Sequence, residues 1–437
     1  MRRFLPGGLW RHRDFRNLWA AETISMFGSQ VDDLALGFVA IVVLDASAFE
    51  VAVLGTLNFL PFILFTLPAG VWVDRLRRRP ILIAADVARA ALLATVPAAY
   101  ALDALTLWHL YLVVFLVGFC QVFFDVAYQS YLPSLVDRAQ IIEGNSKLEI
   151  SRSTAQVTGP GLGGALVEIF TAPYAVLVDA LSFVASALFL FRIRTPEAKP
   201  EVVEVDGRKP SMRSELREGL RFVAGNANLR AQAGCTATSN LFSSLAFAVF
   251  LVYAVRELGL SAAVIGLVFS LGSAGSLLAA FTARRISARF GIGPTSIVMA
   301  AVFGPSFLLI AAAPEGNAAI PFLVAAQLLF GFSVVVYNIT QVSYRQAICP
   351  PRLQGRMNSV MRFLVWGTIP VGTLAGGALA SWLGLREAIV IGAVGGGLSF
   401  LWLLLSPQRH LRELPEPVDE HEAVELGQAE ALPSVGA

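Results

Sequence analysis

"GFCQVFFDVAYQSYLPSLVDRAQIIEGNSK", residues 118 to 147, falls without a gap on "GFSVVVYNITQVSYRQAICPPRLQGRMNSV", residues 331 to 360. Tyr131 meets Tyr344 and Asn145 meets Asn358 in this register. The same shift of 213 lays "GGAL" at 163 to 166 on "GGAL" at 376 to 379. Nearer the start, a shift of 211 lays "NLWA" from Asn17 on "NLRA" from Asn228, and Gly55 on Gly266. The chain is therefore one structural unit written twice, and the fold follows from what that unit is.

The chain has 437 residues, 56% hydrophobic and 15% charged, against roughly 25% charged in soluble domains. That composition makes lipid the solvent. Apolar runs long enough to cross a bilayer, about 17 to 25 residues, recur near 17–44, 49–71, 80–101, 106–131, 147–169, 172–191, 231–255, 261–283, 294–313, 318–343, 356–382 and 386–405. Each run is continuously apolar, which requires helices that satisfy their own backbone rather than barrel strands. The expected fold is an all-α membrane protein of twelve transmembrane helices in two six-helix repeats. Residues 1–191 form the first half, 192–229 a linker with an amphipathic helix, 230–406 the second half, and 407–437 a disordered tail.

Orientation comes from the basic residues. The termini and every second loop hold 28 of the 33 Lys and Arg, while the opposite loops hold only Arg256 and Arg386. The positive-inside rule puts both termini and the long linker in the cytoplasm. Six is an even number and the linker is cytoplasmic, so both repeats run in the same direction. Parallel six-helix halves are the architecture of a rocker-type transporter, with its substrate site between the halves near the midplane.

Several classes are excluded. A net charge of +2 does not suit a nucleic-acid binder. Cys120, Cys235 and Cys349 are far apart and form no CxxC, and the four histidines are scattered, so neither a disulfide framework nor a metal site is expected. No nucleophile, base and orienter constellation points to an enzyme. No GxxxxGK[ST] occurs, and with no other cofactor implied, an ion gradient is the remaining energy source. "RRFL" at 2 to 5 precedes "PGGLWRHRDFR" rather than an apolar run, and no cleaved signal is read there.

Charge inside a span costs about 2.5 to 3.5 kcal/mol at a helix centre and tends to be functional. The first half places Glu22, Asp32, Asp33, Asp86, Asp125, Glu149 and Asp179 within spans; the second half places no acid there, and its Glu257, Glu315 and Glu387 sit at external loops. Only Arg89, Arg152 and Arg362 lie within spans as basic partners. Asp86 with Arg89 and Glu149 with Arg152, each three apart, suit same-face ion pairs. Arg362, the repeat counterpart of Glu149, must find its partner across the structure or face water. The remaining acids include some expected to be neutral at pH 7.

"GVWVDRLRRRP", Gly70 to Pro80, resembles the G-x-x-x-D-R-x-x-R-R signature loop of the major facilitator superfamily, with Asp74, Arg75, Arg78 and Arg79 at its charged positions. Arg77 replaces the glycine usual there. "GPGLGG", Gly159 to Gly164, is similar to the core of that superfamily's antiporter motif, although Ala155 replaces an upstream glycine. "FDVAYQSYLP" at 124, "VDALSF" at 178 and "SYRQAICPPRLQGRMNS" at 343 resemble the branch of macrolide and enterobactin exporters. The resemblance covers nearly the whole chain outside linker and tail. It implies that spans one, four, seven and ten line the cavity, which makes Asp32, Asp33 and Asp125 the proton-carrying candidates. Asp125 has an alternative role as a hydrogen-bonded packing residue, since its repeat partner is Asn338. Phe124, Tyr128, Asn240, Phe247, Tyr337 and Asn338 are the candidate cavity wall, with core or lipid-facing roles as the alternative.

In Gly159, Pro160, Gly163 and Gly164, the small residues allow close helix packing, and Pro160 can also bend span five. In the family the matching aspartate of the signature loop contacts the start of span eleven, so Asp74, with Arg356 opposite, would latch the cytoplasmic side when it is closed. The expected function is proton-coupled efflux of an amphipathic organic molecule (drug, macrolide, siderophore or secondary metabolite) by a monomer in the bacterial inner membrane. A facilitator or importer of the same fold is the first rival, and a non-transporting sensor or accessory subunit the second. In the linker, Leu216, Leu220 and Val223 share one helical face, expected to lie on the inner leaflet.

Overall fold

The computed structural model describes residues 9–73, 76–136, 140–195, 197, 212–349 and 351–413, and every regular element among them is helical. The first group comprises α1 (Arg13–Phe38), α2 (Ala48–Val73), α3 (Arg78–Ala101), α4 (Leu107–Leu135), α5 (Ile141–Phe170) and α6 (Ala172–Phe191). A short α7 (Met212–Gly225) follows. The second group comprises α8 (Ala227–Arg256), α9 (Ala262–Phe290), α10 (Ile292–Ala311), α11 (Ile320–Ile348), α12 (Pro351–Trp366), α13 (Thr368–Leu383), α14 (Leu385–Gly397) and α15 (Leu401–Leu404). Helices α12 and α13 together make one crossing, as do α14 and α15, which gives twelve.

Eleven of these crossings are long and apolar enough to span a membrane by composition alone. The twelfth, α5, is 30 residues long, about 45 Å at 1.5 Å per residue. Its charged start, with Glu143, Lys147, Glu149 and Arg152, and the Ser, Thr, Gln, Gly and Pro of the stretch that follows, with Glu168, make it the least apolar crossing.

Helix ends are set locally. Thr106 accepts a hydrogen bond from the His109 backbone N–H, and Asn226 from those of Asn228 and Leu229, so α4 and α8 start on side-chain caps. The tight reversal between α5 and α6 is made at Thr171 (φ 66°, ψ 157°), and its counterpart between α13 and α14 at Gly384 (φ 111°, ψ 160°). The repeat read in the sequence thus extends to backbone conformation.

The span expected at 356–382 is instead two helices interrupted at Gly367, and the crossing begins on the longer amphipathic α12. Helix α7 also departs from expectation. Val223 is buried with Leu353, Met357 and Val360, and Glu218 pairs with Arg356, so this face docks on α12 rather than on a leaflet. Leu220 of the expected stripe is exposed, and the Leu216 side chain lies outside the described residues, as do most of the linker and the tail from residue 414.

The first group packs as α1 on α6, α3 on α6 and α4, and α2 on α4; the second as α11 on α9 and α10, and α8 on α13 and α14. Helices α5 and α9 pack along one another and α2 packs on α13, joining the groups. The first and last described residues, Leu9 and Glu413, lie at one face of the bundle. At the opposite, far face the Arg256 guanidinium donates to Asp45 Oδ1 (2.7 Å) and to the Ala46 carbonyl (2.9 Å), across the two groups.

Candidate functional site

A cavity of about 1640 Å³ lies between the groups. Helix α1 supplies Glu22, Ser25, Ser29, Asp32, Asp33 and Leu36, a spacing of three and four that puts them on one face. Helix α4 adds Gln121, Phe124, Asp125 and Tyr128, and the start of α5 adds Asn145, Glu149 and Arg152. The second group contributes only Phe247, Ala248, Leu251, Leu277 and Thr373. Among the described residues, one wall therefore carries every ionisable group and the other is nearly apolar. Because the lining runs to the beginning of α5 while α5 and α9 meet from Gln156 onward, the cavity opens toward the face where α1 and α5 begin.

Arg89 organises the charged wall. It is 2% exposed, donates to Asp86 Oδ1 and Gln121 Oε1, and lies between the rings of Phe183 (4.0 Å) and Phe124 (4.5 Å). Ser186 donates to the other Asp86 oxygen at 2.6 Å, and Gln121 Nε2 donates to Asp125 Oδ1 at 2.7 Å. A continuous polar chain, Ser186–Asp86–Arg89–Gln121–Asp125, so runs from α6 through α3 to the cavity. Arg89 pairs with Asp86, while Asp125 is held by an amide. The packing role weighed for Asp125 is seen in this contact, and Asp125 also lines the cavity.

The other acids are held differently. Asp33 is exposed to the cavity. Asp32 is buried with Oδ1 unpartnered, and Glu22 is buried with Oε2 unpartnered. Glu149 and Arg152, expected to pair like Asp86 and Arg89, form no ion pair and are both exposed. Both line the cavity at the start of α5. Arg362 is likewise exposed, its guanidinium 5.0 Å from the Trp366 ring.

Of the expected cavity wall, Phe124, Tyr128 and Phe247 line the cavity and three residues do not. Tyr337 is buried, its hydroxyl 2.8 Å from Thr236 Oγ1 and its ring against Phe303. Asn240 donates to the Val365 carbonyl (3.1 Å), and Asn338 is exposed outside the lining. Inward-facing polarity in α8 and α11 is used for packing within the second group.

The glycine run of α5 serves close approach on two sides. A Cβ on Gly159 would overlap Gln30, and one on Gly163 would lie 3.0 Å from Val31 Cα, both on α1. One on Gly164 would overlap the Ala262 carbonyl of α9, and Gly266 in turn abuts the Pro160 carbonyl. Pro160 lies within an unbroken α5.

In the signature loop, Asp74 and Arg75 lie outside the described residues, and Gly70 is in the last turn of α2. Glu197 accepts from the backbone N–H groups of Arg78 (2.8 Å) and Arg79 (3.1 Å), capping α3, and Arg79 donates to the carbonyls of Leu190 and Phe191. Arg356, expected opposite Asp74, pairs with Glu218.

Among the wall residues not selected from sequence as site residues are Glu22, Asp179 and Gln121. Glu22 was legible, since it precedes Asp32 by ten residues and falls on the same face of α1. Asp179 was visible only as an intramembrane acid, and its neighbours depend on how α6 meets α1. Gln121 carried no charge to mark it.

A family model described as "Transmembrane secretion effector" matches residues 8–425. An uncharacterized MFS-type transporter of Bacillus subtilis, YfiS, is 25% identical over 380 residues, covering 86% of this chain and 88% of that protein. Multidrug efflux pump Tap of Mycolicibacterium fortuitum is 25% identical over 355 residues (79% and 84%). Macrolide efflux protein A of Streptococcus pyogenes is 25% identical over 217 residues, about half of each chain (49% and 52%). Among solved structures, a point mutant of the nucleoside transporter NupG superposes with a TM-score of 0.73 at 12% identity, covering 90% of this chain and 99% of the other. A bacterial homologue of the iron transporter ferroportin gives 0.68 at 17% identity (90% and 98%).

Proposed function

Since the chain belongs to the transmembrane secretion effector family and is a multi-pass membrane transporter of major-facilitator type, we propose that it exports an amphipathic organic molecule in exchange for protons. The observation that carries this reading is the two-sided cavity. Acids without cationic partners line one wall, and Phe247 and Leu251 stand on the other. A polar or basic end of a substrate suits the first wall and an apolar body the second. The efflux named for the Tap and macrolide relatives supports the outward direction.

The basic residues favour a cytoplasmic location for the face bearing the termini, in a bacterial inner membrane. The structure then corresponds to the inward-open state. A proton from outside neutralises Asp33, Asp32 or Asp125 and favours this state; its release to the cytoplasm restores the charge and favours substrate capture and outward opening. The coupling lies in the different affinity of the two states for a proton.

Proteoliposomes with an imposed pH gradient and ethidium as the transported probe test this. Gradient-driven ethidium movement is expected, reduced at least tenfold in Asp33→Asn and Asp125→Asn. Movement indifferent to the gradient and to these variants would overturn the mechanism.

A further inference from the structure

Two acids of the cavity wall lie deep in the contact between α1 and α6. Asp32 is 8% exposed and Asp179 1%. Gly28, one turn before Asp32 on the same face of α1, has no side chain where Asp179 arrives: a Cβ there would overlap Asp179 Oδ1 and Ser182 Oγ. The carboxyl of Asp179 thus rests against α1 one turn before Asp32, on the side toward which a helical side chain at Asp32 leans. Ser182 donates to Asp179 Oδ1 at 2.8 Å and fixes its orientation.

The charged surroundings are few. The charged groups around Asp32 and Asp179 are Asp33 on α1 and Asp86 and Arg89 on α3. Arg89 is already committed to Asp86 and Gln121. Helix α5, also packed on α1, meets it here through Gly159 and Gly163 against Gln30 and Val31 and brings no charge. Asp32 Oδ1 is enclosed and has no hydrogen-bond partner. An enclosed carboxylate oxygen with nothing donating to it is costly, and two carboxylates closed in together without a committed cation cannot both stay ionised.

We infer that Asp32 and Asp179 hold one proton between them across the α1–α6 contact, so that the proton site is a pair of carboxyls on two helices rather than a single aspartate. With one proton the pair carries a single negative charge. A second proton makes it neutral, and loss of the first leaves two anions facing each other. Ser182 is a positioning residue, and Gly28 provides the space. The inference rests on the efflux reading only for what the proton drives.

The test is infrared spectroscopy of the full chain in proteoliposomes, following the protonated-carboxyl stretching band with pH in sodium-free choline buffer and without substrate. In a Glu22→Gln background, which removes the other wall carboxyl buried with an unpartnered oxygen, a band present at neutral pH is expected to be lost in Asp32→Asn and equally in Asp179→Asn, with no further loss when both are replaced. Ser182→Ala should shift the band without removing it, and Asp33→Asn should leave it in place. Survival in Asp179→Asn with loss in Asp32→Asn would assign the proton to Asp32 alone and overturn the pair, as would survival in both. Abolition of the band by sodium chloride would overturn it in favour of a cation site. Retained gel-filtration behaviour checks that each variant is folded, and Ser182→Ala gives a reading if an Asn variant is not. An absent band with ethidium export intact refutes the pair alone; an intact band with no gradient-driven export refutes the efflux reading alone.

Discussion

In the first six-helix group Asp32 stands 8% exposed against α6; at the equivalent place in the second group, 211 residues on, Ser243 is also 8% exposed. Asp125 corresponds to Asn338 and Glu149 to Arg362. The backbone plan is shared down to the reversals at Thr171 and Gly384, so the fold does not require the acids. The second group instead buries a cluster of rings: Phe247, Phe303, Phe307 and Phe330, with centroids 5.0 to 5.9 Å apart, and Tyr337 on Phe303. One half packs for rigidity, while the other bears charges whose burial opposes stability. A protein that keeps such charges in only one copy of a duplicated unit keeps them for what that unit does.

The sharpest way to break this comparison is at its charged centre. Replacing Arg89 with Met leaves Asp86 buried without its cation, a loss of about 3 to 5 kcal/mol. Thermal unfolding in detergent should show a large fall in midpoint, and an unchanged midpoint would mean that the charged half is built like the neutral one.

The seam between the halves comes next. Gly164→Val drives a branched side chain into the Ala262 carbonyl, an overpacking cost of about 1 to 3 kcal/mol, borne only while α5 and α9 are closed. Spin labels on the far-face ends of these helices should report a longer separation, and an unchanged distance would show that the contact has room to yield.

Thr171 offers an improvement drawn from the other half. A β-branched residue at φ 66° is strained, and Thr171→Gly, copying Gly384, should stabilise by about 1 kcal/mol. A lower unfolding midpoint would separate the two reversals.

The smallest effects belong to exposed charges. Asp45→Asn breaks a solvent-exposed pair with Arg256 and should shift stability by about 0.2 to 1 kcal/mol, less at high salt. Asn338→Asp writes the Asp125 carboxyl into the α11 span, where an ionised acid costs about 2.5 to 3.5 kcal/mol at a helix centre. The small effect is therefore expected only at low pH, where the carboxyl is neutral and close in size to the amide. A new pH dependence of ethidium export in that variant would show that the second half can share the coupling.

How much of this was legible depended on whether a residue's role is set along one helix or between several. The acids of α1 announced their shared face through spacing, and Asp86 with Arg89 announced their pair through a three-residue step. The same step failed for Glu149 and Arg152, because both are exposed on the cavity side of α5 and neither needs the other for burial. Val223 was on the expected amphipathic face, yet its partner proved to be α12, which no periodicity of α7 can name.

The sequence by itself determined the solvent, the twelve crossings, the duplication and the confinement of intramembrane acids to one copy, because apolar run length and repeated spelling are properties of a single chain read in order. Only the tertiary structure decided that those acids form one wall, that Arg89 serves Asp86 while Gln121 serves Asp125, and that Asp179 meets α1 at Gly28. Burial and pairing depend on which helix arrives from the side. In this protein that arrival is governed by small residues, whose close contacts are invisible until both partners are in place.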